Sequence, residues 1–208
     1  MPAGAAGDRT HLLLSATRRF GIALTLVAGL TAASGGVQAH PHVFVEVGFG
    51  LQFIDRALEA IDVTWRFDEF YSQAMLPDYM KKGEKQLSPQ GVKGLYDDVF
   101  RFLADYRFFT DVSVDGVLMN PVKATGFMAR VDRGALVFTF LVPLPKPMTA
   151  GTLDLIGFDP EYFIEYTLAG PPEIRGKPPR HTCKTRRFQR DTEITGPVGV
   201  AGLSCTIG

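Results

Sequence analysis

Four histidines occur in this 208-residue chain, and two of them, His40 and His42, stand one residue apart in the stretch VQAHPHVFVEV. In an extended strand, residues i and i+2 project to one side, about 6.5–7 Å apart. Two imidazoles at that spacing can converge on one ion, each ring nitrogen about 2 Å from it. Imidazole nitrogens suit zinc, nickel, cobalt and copper better than calcium or magnesium. A histidine at a free N-terminus would add its α-amine. Pro41 has no amide hydrogen, so the square-planar mode through deprotonated backbone amides is closed. A complete site needs further ligands. The candidates are Glu46 on the strand face shared with His42, the acidic pairs Asp68–Glu69 and Asp159–Glu161, and His181. Each has a competing structural role: Asp68 as a helix cap, Asp159 before Pro160 as a turn residue, and His181 as an exposed side chain.

The sequence offers little for catalysis. Ser88 and Ser113 lie in no nucleophile motif, and there is neither a phosphate-binding glycine loop nor HExxH. We therefore expect a protein that is not an enzyme.

Whether His40 begins a mature chain depends on the residues before it. Arg9, Arg18 and Arg19 precede the apolar run FGIALTLVAGLTAAS, and Val37 and Ala39 satisfy the small-residue rule at −3 and −1. Residues 1–39 are expected to be a secretory signal peptide, cleaved after Ala39, which implies a periplasmic location. The run is short for a spanning helix of about 20 residues, and no later stretch is long and apolar enough to span. The net charge of zero gives no electrostatic reason to expect nucleic acid or an anionic membrane surface. Cys183 and Cys205 are the only cysteines. In an oxidising compartment they read most simply as a disulfide; the rival is a thiolate metal site with His181.

The elements that must position these residues follow from periodicity. HVFVEVGFGLQFI and LEAIDVTWRF each alternate, placing Val43, Val45, Val47, Phe49, Leu51 and Phe53 on one face of the first strand. Together they read as an antiparallel pair. DEFYSQAMLPDYMKKG reads as a short helix capped by Asp68 and interrupted at Pro77. SPQGVKGLYDDVFRFLADY reads as a longer helix capped by Ser88 with Pro89 in its first turn. YRFFTDVSV turns at Asp115–Gly116. TGFMARV and ALVFTFLV form a hairpin about DRG, ended by Pro143, Pro145 and Pro147. TLDLIGF and YFIEYTL form one more pair about Asp159 and Pro160. The expectation is an α+β fold, mainly antiparallel sheet, with one or two helices inserted after the first strand pair. Its domain spans residues 40–187, and residues 188–208 form a tail stapled by the disulfide.

AHPHVFVEV after a signal peptide, WRFDEFYSQAML, FTDVSVDGV, FDPEYFIEY and the late HTC together resemble a bacterial family of periplasmic proteins of unknown function whose mature chains open on an HPH motif. Members are commonly labelled periplasmic components of an ABC-type transport system, and some lie beside nickel/cobalt permeases. The resemblance places the family's histidines on His40 and His42. Its acidic pair falls on Asp68 and Glu69, after Trp65. Its FDPxY element falls on Phe158, Asp159, Pro160 and Tyr162, and its late cysteine on Cys183. It implies a transition-metal cargo and a partner in an inner-membrane metal permease or ABC transporter. The alternative is a non-catalytic envelope structural or interaction protein with no metal site.

Overall fold

The computed structural model describes residues 43–120, 122–193 and 196–208. His40 and His42 lie outside the described residues. The chain opens with β1 (Val43–Ile54) and β2 (Ala57–Phe67), joined by a two-residue turn in which Asp55 and Arg56 both adopt positive φ, 47° and 66°. That mirror-image turn matches the twist of the strands. Helix α1 (Glu69–Tyr79), helix α2 (Pro89–Asp98) and a 3-10 segment (Phe100–Phe109) follow. Then come β3 (Thr110–Val114), β4 (Val117–Leu118), β5 (Thr125–Asp132), β6 (Ala135–Met148), β7 (Gly151–Gly157), β8 (Ile164–Leu168), β9 (Glu173–Arg175), β10 (His181–Thr192) and β11 (Gly196–Ile207).

The strands form two mostly antiparallel sheets. The first runs β5-β6-β2-β1-β8, with β9 also on β1; the second runs β10-β11-β7-β3-β4. The alternation of β1 works as read: Val45, Val47, Phe49, Leu51 and Phe53 are all buried. They join Ile61, Val63, Trp65 and Phe67 of β2 and Leu153, Leu155, Leu203 and Ile207 of the second sheet in one core. Burying each of the larger apolar side chains contributes roughly 1.5–3 kcal/mol. Trp65 sits at the junction, 5.2 Å from Phe140 and 5.7 Å from Tyr166 between ring centroids. The helical region covers the β5–β6 end, where Phe100 meets Phe127 at 4.3 Å and Phe140 at 5.1 Å. Buried Ser72 ties α1 to β6: its hydroxyl accepts Leu136 N at 2.8 Å and donates to Asp68 O at 2.6 Å.

Several expectations are corrected. Helix α1 continues through Pro77 to Tyr79. The second expected helix gives way after Asp98 to the 3-10 segment, which ends with Arg107, Phe108 and Phe109 at φ 52°, 50° and 43°. The strand expected from Tyr106 therefore starts at Thr110. Two arginines explain why the chain turns there: Arg107 and Arg190 meet the buried Asp111 carboxylate at 3.0 and 2.9 Å. Strand β6 runs on through all three prolines to Met148. Prolines two apart remove N–H groups from one edge of a strand only, and β5 pairs with β6 no further than Leu141, leaving one edge open.

β7 and β8 are not a pair. β7 lies between β11 and β3, while β8 lies parallel to β1 in the other sheet. Residues 188–208 carry the expected staple but are not a loose tail, because β11 is an inner strand whose Leu203, Cys205 and Ile207 are buried. Cys183 and Cys205 face each other across β10 and β11 and form a disulfide, which leaves no thiolate for a site with His181.

Candidate functional site

The start of β1 is where the expected acidic residues gather. Asp68 directly follows β2 and caps α1, its Oδ1 accepting Tyr71 N at 2.8 Å. Its Oδ2 accepts Phe44 N at 2.8 Å, and its own N–H donates to Phe44 O at 2.9 Å. One residue thus closes the helix and also continues the β1–β2 ladder one step past Val45↔Phe67.

On the other side of β1, Asp159 is 3 % exposed. Its Oδ1 accepts Glu161 N at 3.0 Å, and its Oδ2 accepts Phe163 N and Ile164 N, both at 2.9 Å. The turn it organises holds Tyr162 at φ 59° and presents Phe163 O to Val43 N at 3.2 Å. This is how the chain leaves β7 in one sheet and enters β8 in the other. A cavity of ≈ 320 Å³ opens beside the turn, with Asp159, Tyr162, Glu165, Tyr166 and Arg187 among its lining residues.

Both aspartates therefore fix backbone. Their oxygens already accept two N–H groups at Asp68 and three at Asp159, out of about four lone-pair positions on a carboxylate. Glu69 is exposed in the first turn of α1, where its Oε1 accepts Gln73 Nε2 at 3.0 Å. Glu46 is exposed on the β1 face that carries Phe44, and its cross-strand neighbour Arg66 is turned away to Asp132 at 2.6 Å. Glu46 and Glu69 are thus the more available carboxylates near Val43.

His181 lies elsewhere. Its ring is 6.3 Å from that of Phe53, and its Nδ1 is 3.2 Å from Pro179 O. Phe53 is ten residues along β1 from Val43, a separation of about 30 Å at the usual rise of a strand. The proline-rich connector accounts for this, since β9 pairs with Gly50–Gln52 and delivers the chain to the far end of β1. The fold does not bring His181 to the residue that follows His42. Among the described residues, no group of three or more His, Cys, Asp or Glu side chains is arranged to hold a metal ion.

Sequence reasoning missed two phenols beneath this region. Tyr166 is buried, and among the described residues its hydroxyl has no hydrogen-bond partner. Burial pushes it well above the ordinary tyrosine value, and the Asp159 carboxylate and then Tyr71 push it further. Tyr71, stacked on Phe67 at 4.9 Å, is raised by burial first and then by Tyr79 and Asp68. The only signal in the sequence was the inward position of Tyr166 in the alternation of YFIEYTL. Among the described residues, no helix is long and apolar enough to cross a membrane.

A family model described as a protein of unknown function (DUF1007) matches residues 25–195. An uncharacterized protein of Haemophilus influenzae (strain ATCC 51907 / DSM 11121 / KW20 / Rd) is 28 % identical over 141 residues. That alignment covers 65 % of this chain and 66 % of the relative. With the family model spanning most of its length, including both acidic turns at the start of β1, this chain belongs to the DUF1007 family.

Proposed function

We propose that this protein is a periplasmic, non-catalytic accessory of a metal transport system that holds a transition-metal ion through His40 and His42. The ion is zinc, nickel, cobalt or copper, and it is passed to an inner-membrane permease or ABC transporter. One observation carries this reading. The first two residues of β1 are fastened from both sides, Phe44 N to Asp68 Oδ2 at 2.8 Å and Val43 N to Phe163 O at 3.2 Å. The histidine motif runs directly into that fastened end. A terminal ligand pair on a rigid base binds with less loss of freedom than one on a loose tail, yet stays accessible for exchange. The available carboxylates of Glu46 and Glu69 supply further oxygen donors nearby. The Cys183–Cys205 disulfide fits an oxidising compartment.

The test is competition titration of the chain beginning at His40 with each of the four ions, alongside His40→Ala and His42→Ala. The reading requires affinity to fall at least about tenfold in each variant with the thermal transition unchanged. Equal affinity in all three chains would remove His40 and His42 from the site.

A second reading has its own support. Phe44, Phe70 and Phe163 are 49 %, 82 % and 40 % exposed around the same end of β1. Exposed aromatics gathered in this way suit a protein-binding surface, as an envelope interaction protein with no metal would have. Under it, both alanine variants bind the partner and fold as the unaltered chain does.

A further inference from the structure

The loop joining α1 to α2 and the turn joining β5 to β6 enclose a groove of ≈ 780 Å³. Its walls are held in place by identifiable contacts. Pro77 lacks an N–H, so the carbonyl of Gln73 loses its helical partner, and both residues line the groove. The chain leaves α1 at Met80 in extended conformation, with φ −126° and ψ 140°. Glu84 Oε2 accepts Lys81 N at 3.2 Å, folding the loop onto itself. The Gln86 amide then bonds Val131 at both ends: Nε2 donates to Val131 O at 2.8 Å, and Oε1 accepts Val131 N at 3.2 Å. This two-point bond imitates a rung of a sheet and pins the far end of the loop to β5.

The chemistry of the lining is segregated. Leu76, Pro77, Met80 and Val131 supply apolar surface, while Lys81, Lys82, Lys85 and Arg133 supply positive charge against the single acid Glu84. None of the three lysines forms an ion pair among the described residues. The Arg133 side chain is 84 % exposed and only 3.7 Å from Asp132, a carboxylate already held by Arg66 at 2.6 Å. The helix dipole favours cations just past the end of α1, which accounts for Lys81 and Lys82. It does not account for Lys85, further along the same loop, or for Arg133 on a different hairpin. Cations drawn from two separate elements around one apolar surface leave a local field that is satisfied by an anion.

We propose that this groove binds a single-chain amphiphilic anion. The apolar body lies against Leu76, Met80 and Val131, and a carboxylate or phosphate head sits among Lys81, Lys82, Lys85 and Arg133. The volume falls within the roughly 300–1,000 Å³ of small-molecule sites. Its positive rim repels metal ions, so the site is independent of any ion at His40 and His42.

The experiment is calorimetric titration of the chain beginning at His40 with dodecanoate, dodecyl phosphate, dodecyltrimethylammonium, hexanoate and inorganic phosphate, each below its aggregation concentration. Saturable one-site binding is expected for dodecanoate or dodecyl phosphate, and the stronger of the two names the head group. The cationic analogue, hexanoate and inorganic phosphate should each bind at least about tenfold more weakly. In a chain carrying Lys82→Gln and Lys85→Gln, both exposed and outside the core, affinity for the anion should fall about tenfold or more with an unchanged thermal transition. Equal binding of the cationic analogue, unweakened binding of hexanoate or inorganic phosphate, unchanged affinity in the lysine variant, or no saturable binding of either dodecyl anion would each overturn the proposal.

Discussion

Asp68 and Phe44 form a closed pair: the Phe44 N–H donates to the Asp68 carboxylate at 2.8 Å, and the Asp68 N–H donates to the Phe44 carbonyl at 2.9 Å. The same carboxylate caps α1 through Tyr71 N. The opening of the first strand and the first turn of the helix are therefore one mechanical unit, and residues 40–42 run into it.

Replacing Asp68 by alanine removes a helix cap and leaves Phe44 N without its acceptor. The expected loss is about 1–3 kcal/mol, read from the shift of the urea midpoint. Asn at the same position keeps one acceptor and should lose less. If metal binds at the neighbouring histidines, Asp68→Ala should also weaken it, because the base of the motif loosens.

Asp159 is the stiffer test of the same idea. Its two oxygens accept three backbone N–H groups in a nearly closed setting. Asp159→Asn keeps the shape but presents an NH₂ group to one of those donors. We expect a loss of about 3 kcal/mol or more, with faster hydrogen exchange at Phe163, Ile164 and Val43. A loss no larger than that of an exposed substitution would mean the turn is not what joins the two sheets.

Tyr166 carries a buried hydroxyl without a partner among the described residues, and its folded pKa is raised well above 10.0. A group whose folded pKa is raised adds stability that is complete below the unfolded value and is lost as pH climbs through and above it. Stability should therefore fall from about pH 10 upward as the unfolded phenol ionises first. Tyr166→Phe removes both the orphaned hydroxyl and this titration. It should match or slightly exceed the parent at pH 7 and shift alkaline unfolding to higher pH, as followed by circular dichroism.

The disulfide links residues 22 apart across neighbouring strands. Reduction, or Cys183→Ser with Cys205→Ser, should lower stability by about 3 kcal/mol in the loop-entropy account. Metal affinity should not change, since both cysteines lie on the β10–β11 hairpin with His181, toward the far end of β1.

Much of this architecture was legible because alternation dictates burial. Val45, Val47, Phe49 and Leu51 had to share a face, and Asp68 and Ser88 stood where helices need caps. Three features were not legible. The pairing of β8 with β1 rather than β7 depends on the Asp159 turn, whose hydrogen bonds reach residues two to five positions later and look in sequence like an ordinary Asp-Pro turn. The inner position of β11 was hidden by its glycines, which the second sheet uses for close approach: a Cβ on Gly202 would stand 2.5 Å from Leu155 O. The remoteness of His181 depends on the short parallel strand β9, too brief to leave a periodic signal. In the candidate site, both acidic turns were found from sequence, but their attachment to the backbone of β1 and β8 required the fold.

The most direct test of the central claim is a comparison of two chains, one beginning at His40 and one with a single alanine before it, each titrated against zinc, nickel, cobalt and copper with and without His42→Ala. The account predicts tight binding by both chains, weakened at least about tenfold by His42→Ala and weakened by the added alanine in proportion to the share carried by the α-amine. Binding by both chains no tighter than a short histidine-containing peptide, or unaffected by His42→Ala, would contradict it.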